Sequence, residues 1–277
     1  MISEETAQKR NHLELLGRVT EDEYEEIIKN NYLCFLYGTQ GPNILNYHSP
    51  FTKKKYKEIS NTIHNNQIAN TLNTIKKEFK ENKNRDLVLA YSFGYLAHYV
   101  FDSYAKSYLI DSSKVINTDI NSLKNEIERH YLKKDGITFN SKIYKNSKIA
   151  NTIISKILNI PEKDIKQSIS NMSLYTKIIY TKNKSILKIF KILHLNKYLS
   201  YFVYHDNGNH PAQILRITKY FEISKYHYQI LVQNYIDFIF NDEPLNDYFF
   251  NPFAYKNNAS ILDFNEEIKY IIKDYNK

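Results

Sequence analysis

The segment Ala90–Leu109, "AYSFGYLAHYVFDSYAKSYL", constrains the fold more than any other part of the chain. It is apolar or aromatic almost all round, so the helix it forms must sit centrally and be covered on most sides by other elements. The pattern begins near Arg85 and Asp86. Within it, His98 and Asp102 stand four residues apart, which places both on one helical face with Cβ atoms about 5–6 Å apart. Two chemistries suit that pair. They can ligate one ion, because imidazole and carboxylate both match the borderline softness of zinc, or they can form a buried hydrogen-bonded pair.

What covers such a helix is more helix. The chain has 277 residues and only 6 Gly and 6 Pro, too few turn formers for a β-sandwich. It is long enough to bury a substantial core. Residues 13–36 read as helical, with Thr20 as N-cap and acidic residues after it where they suit the dipole. Gly38 is expected to break that helix, and Gly41–Phe51, "GPNILNYHSPF", reads as a loop of Gly-Pro and Ser-Pro turns. Ile59, Ile63, Ile68, Leu72, Ile75 and Phe79 line one face of a following helix, with His64 near its middle. After the apolar segment, "SLKNEIERHYLKKDG" is a shorter amphipathic helix closed by Gly136. Helical patterns continue within 137–160, from Pro161 to Tyr180, over "KSILKIFKILHL", at 214–240 and at 261–274. The expectation is one all-α multi-helix domain over residues 1–277, with no internal repeat.

The single cysteine, Cys34, excludes an internal disulfide and a cysteine-based zinc cluster. Its apolar setting suits a buried thiol. The first residues lack the apolar core of a signal peptide, and no run reaches transmembrane length. A cytoplasmic location is therefore expected. The net charge of +8 allows peripheral contact with an anionic membrane, but the lysines form no block, and nucleic-acid binding is not expected.

A metal site needs more than a pair, since zinc takes three protein ligands and a water, or four protein ligands. His64 on the preceding helix is the natural third ligand, and the loop around Asn43 offers a fourth. Other histidines have plainer readings. "HDNGNHP", with His205, Asp206, Asn209 and His210, reads as a polar turn. His48 reads as an exposed loop residue, and His130 as the i,i+4 partner of Glu126. The 25 tyrosines fall mostly at core-facing spacings.

In order, the chain presents a Gly-Pro loop, a helical His64, the "GYLAHYVFD" helix and the Glu-bearing "EIERHYLKKDG" helix. In that series it resembles the bacterial zinc-dependent phospholipase C family, whose all-helical fold is shared distantly with the fungal single-strand nucleases. The likeness covers about the first 140 residues and recurs in the closing "NPFAYKNNASILDFNEEIKYI". It implies a phosphoester hydrolase with His64, His98 and Asp102 as zinc ligands, and Asn43 where the family's Gly-Pro-Asp loop has its aspartate. Glu128 matches the glutamate of the next helix. Lys106 and Lys124 stand where the family carries histidines, and Gln8 stands at the N-terminal histidine, with His12 one turn later as a stand-in. The resemblance therefore implies a depleted centre holding at most one zinc. Lys106 and Lys124 become phosphate-binding cations, since an ammonium repels a metal dication but binds a phosphate oxygen as a point charge. The ligand would be a phosphate-bearing small molecule or lipid headgroup, hydrolysed or, in a non-catalytic homologue, only bound; a protein partner of the degenerate pocket is the other possibility.

Overall fold

The computed structural model describes residues 21–49, 54–134, 136, 145–192, 199, 202–204 and 210–250. Among them the architecture is all-α, with no β-strand. Helix α1 spans Glu21–Asn30 and α2 spans Tyr32–Gln40, followed by a 3₁₀ segment, Gly41–Tyr47. Helices α3 (Lys54–Asn65), α4 (Ile68–Glu81), α5 (Arg85–Val115) and α6 (Ile120–Lys134) come next. The remainder are α7 (Lys148–Leu158), α8 (Glu162–Ile179), α9 (Lys184–Ile192) and α10 (Pro211–Asn241), with a 3₁₀ turn at Asp247–Phe250.

The apolar segment lies where its composition requires. It belongs to α5, a 31-residue helix contacted by α1, α2, α4, α6, α10 and the first 3₁₀ segment. Val88, Ala90, Tyr91, Phe93, Tyr95, Leu96, Tyr99 and Val100 are all buried in the main core, as are Tyr37, Ile44, Leu45, Leu72 and Tyr235. A smaller cluster, with Ala105, Leu109, Leu123, Ile127 and Ile217, joins α5 to α6 and α10. Tyrosine therefore serves here mainly as a large core side chain, as the spacings anticipate.

Gly38 does not break the first helical region. It lies inside α2, where a Cβ would stand 2.1 Å from the Tyr91 carbonyl oxygen; at Gly94 a Cβ would stand 2.1 Å from that of Phe35. The two glycines face each other and let the backbones of α2 and α5 touch. The actual break is Asn31, between α1 and α2.

Two further expectations change in detail. The pattern from Ile59 to Phe79 is split between α3 and α4, with Asn66 and Gln67 between them, and Gly41–Tyr47 is a 3₁₀ helix rather than an open loop. The start at Arg85 and the positive φ of Gly136 (63°) agree with the expected boundaries. Asp119 caps α6 by accepting from the backbone N–H groups of Asn121 and Ser122. Thr20, the last helix at 261–274 and the Asn-Pro-Phe segment lie outside the described residues.

Candidate metal centre

Three helices and the first 3₁₀ segment build the site. His98 and Asp102 project from one face of α5, as their spacing requires, and His64 comes from the last turn of α3. The three side chains converge. His64 Nε2 stands 3.3 Å from His98 Nε2 and 3.7 Å from Asp102 Oδ2, and His98 Nε2 is 3.6 Å from the same carboxylate oxygen. Among the described residues, this is the one group of three or more His, Cys, Asp or Glu side chains able to share an ion.

The orientation of the rings decides what the cluster can hold. His64 Nδ1 lies 2.7 Å from the Ser60 carbonyl oxygen. A carbonyl only accepts, so the proton of the neutral ring sits on Nδ1 and Nε2 carries a lone pair. His98 has a backbone hydrogen bond with Thr39 in α2, and its Nε2 faces His64 and Asp102. Two imidazole Nε2 atoms and a carboxylate oxygen are thus presented to one point. Histidines that bind metal are usually fixed in this way, through the second ring nitrogen.

The spacing fits an ion as well. Two nitrogens bound to tetrahedral zinc at about 2.0–2.1 Å stand about 3.3–3.4 Å apart, which matches the two Nε2 atoms. The carboxylate oxygen lies a few tenths of an ångström farther out and could close by a small side-chain rotation.

A proton is the other cation that could occupy such a cluster, and the surroundings oppose it. His64 is almost fully buried, at 2% exposure. Burial, then the nearby Lys106 and His98, push its pKa down to about 4. Burial likewise lowers His98, with Lys106 and Lys124 adding to the shift and Asp102 opposing it. Both rings are therefore neutral, metal-ready imidazoles at neutral pH.

Gly41 shapes the site from the 3₁₀ segment. It has φ of 52°, and a Cβ there would stand 2.3 Å from His98 Cδ2. The Gly-Pro pair that reads as a turn in the sequence is also the floor beneath the His98 ring. Its own signal pointed only to a turn, because the ring it accommodates lies on a distant helix. Ser60 and Thr39 likewise carry no sequence signal, since each acts through its backbone.

The remaining expected residues divide. Lys106 follows Asp102 by one helical turn and is half-buried; its pKa is lowered by burial and by Lys124, with Asp102 opposing. Both lysines therefore act on the cluster electrostatically, Lys124 from an exposed position on α6. Glu128 stands outside the triad and accepts a hydrogen bond from the Tyr180 hydroxyl at 2.8 Å. Asn43 lies two residues beyond Gly41, and its Oδ1 accepts from Asn46 Nδ2 at 3.1 Å. Gln8, His12, His205, Asp206 and Asn209 lie outside the described residues.

His48, Glu126 and His210 take roles other than those the sequence suggested. His48 is not an exposed loop residue: its Nε2 meets Asp164 Oδ1 at 3.3 Å, and its ring packs on Tyr56. Glu126 does not face His130; it is buried and bonded to His210 at the start of α10, with the ring Nδ1 at 2.7 Å. Cys34 is buried as expected, and burial pushes its thiol up to about 11. Comparison of the chain with protein-family models, with curated proteins and with solved structures finds no match.

Proposed function

We propose that His64, His98 and Asp102 hold one zinc ion, and that the chain is a phosphoester hydrolase of the phospholipase C type with a depleted metal centre. The observation that supports this reading is the convergence of two imidazole Nε2 atoms and a carboxylate at zinc-ligand spacing. A zinc ion with an open position polarises a phosphoester oxygen and lowers the pKa of a bound water. The chain's own residues supply the rest. Ser60 and Thr39 hold the rings, Gly41 leaves room for the His98 ring, and Asp102 contributes the anionic ligand. Lys106 and Lys124 bring positive charge near the cluster, where a phosphate oxygen could be held.

A second reading has a specific observation in its favour. Asn43, an amide, occupies the position of an anionic ligand in the resembling family, and an amide supplies no base. In that reading the same pocket binds a phosphate-bearing ligand through the ion and the two lysines without cleaving it. Incubation of the zinc-loaded protein with a chromogenic phosphodiester and a phosphomonoester separates the two. Zinc-dependent turnover lost in His98→Gln supports the hydrolase. Saturable competition by inorganic phosphate without turnover, weakened by Lys106→Ala, supports the binding module. Neither turnover nor phosphate binding contradicts both.

A further inference from the structure

Away from this site, the chain has a second chemically distinctive region. Between Asp164 and Asp206 there is no acidic residue at all, whereas the same stretch carries seven lysines, at 166, 177, 182, 184, 188, 191 and 197. Lysine is scattered over the whole protein, but acid is excluded here. Helix α9 lies in the middle of this stretch. Lys184, Lys188 and Lys191 recur at i, i+4 and i+7, the spacing that gathers residues on one helical face. Beside them the helix exposes large apolar side chains, Ile189 at 51% and Ile192 at 72%, and Leu174 of the preceding α8 is 54% exposed. The end of α8 is tied to Val203, whose N–H donates to the Ile179 carbonyl at 2.9 Å.

We propose that α9 is a docking helix for the surface of an anionic bilayer. A short helix with lysine recurring at helical spacing, an exposed Lys188 and isoleucines left in water has the composition of an interfacial helix, whose apolar side chains enter the headgroup boundary while lysine meets anionic lipid. With no acidic residue from 165 to 205, this stretch of the chain contributes no carboxylate to repel anionic lipid. Charge complementarity favours lipid over a neutral protein groove, and the two exposed isoleucines favour a bilayer over a purely ionic polymer. The proposal is independent of zinc and of hydrolysis, and it holds whether or not the metal reading does.

Vesicle co-sedimentation of the full chain tests it, using phosphatidylcholine vesicles with and without phosphatidylglycerol, in the presence of EDTA. Expected is partitioning to the anionic vesicles only. Lys188→Gln should weaken that partitioning roughly five-fold, and Ile189→Ser/Ile192→Ser by more than about ten-fold. A second readout does not depend on these variants folding normally. The chain has no Trp, so Ile192→Trp supplies a single indole, whose emission should shift to the blue with anionic vesicles and stay unchanged with neutral ones. Equal partitioning to both vesicle types overturns the proposal. So does binding that the isoleucine pair leaves unchanged, which would mark a nonspecific polyanion surface, or binding to acidic polypeptides without any binding to vesicles.

Discussion

Two histidine–carboxylate contacts in this molecule use the same side-chain types and differ in chemistry. At the junction of α6 and α10, buried Glu126 accepts from the His210 ring and from the His210 backbone N–H. Donors meet acceptors, and the pair is complete as it stands. At the junction of α3 and α5, the His64 Nδ1–H is directed to the Ser60 carbonyl and the His98 ring is bonded to the Thr39 backbone, while both Nε2 atoms face Asp102. The first contact fastens one helix to another. The second gathers three side chains that could hold a metal ion. The difference lies in where the other nitrogen of each histidine is bonded, not in the identity of the pair.

The largest effect is expected at the proposed ligands. His98→Gln or His64→Gln should lower zinc affinity by roughly 100-fold or more, since even loss of an outer partner costs 10–100-fold. In the unaltered protein, zinc at a thousand times its Kd should add about 4 kcal/mol of stability, and this increment should vanish in either variant; thermal unfolding with and without zinc measures it.

Acid provides the next largest effect. The folded pKa of His64 is pushed from 6.5 to about 4 by burial, so below pH 6.5 the unfolded chain takes up the proton first. Stability of the metal-free protein should fall as pH drops from about 6.5 to about 4, by on the order of 3 kcal/mol from His64 alone. His227, half-buried beside Tyr104 and Tyr248, is also lowered to about 4 by desolvation and should contribute in the same direction. Zinc should suppress the His64 part and leave the His227 part, which denaturation at several pH values would resolve.

The complete pair should behave otherwise. Glu126→Gln replaces the charged acceptor of two hydrogen bonds and should cost about 1–3 kcal/mol in denaturant unfolding, while zinc affinity stays unchanged. A change in zinc affinity would show that the two junctions are not separate. The smallest effect belongs to Lys106→Ala: removing a cation near the triad should tighten zinc a few-fold and weaken phosphate binding, as titration calorimetry would register.

Much of this was legible in the chain. The central position of α5 follows from its all-round apolar pattern, and the shared face of His98 and Asp102 follows from helical geometry. That His64 meets this pair could be expected from its place on the preceding helix. What was hidden depends on long-range contact. Gly38 looked like a breaker because glycine is a poor helix former, yet its missing Cβ is what the α2–α5 contact uses. Glu126 has His130 one turn away, but finds His210 across the helix junction, and no local pattern carries that choice. Ser60 and Thr39 act through their backbone, which side-chain identity does not report.

The most direct measurement is the zinc content of the full chain purified without chelator, by mass spectrometry of the metal, alongside His98→Gln. The account predicts one zinc per chain, removable by EDTA with a lower unfolding temperature, and none in the variant. A zinc-free protein whose unfolding temperature responds to neither added zinc nor EDTA would contradict it.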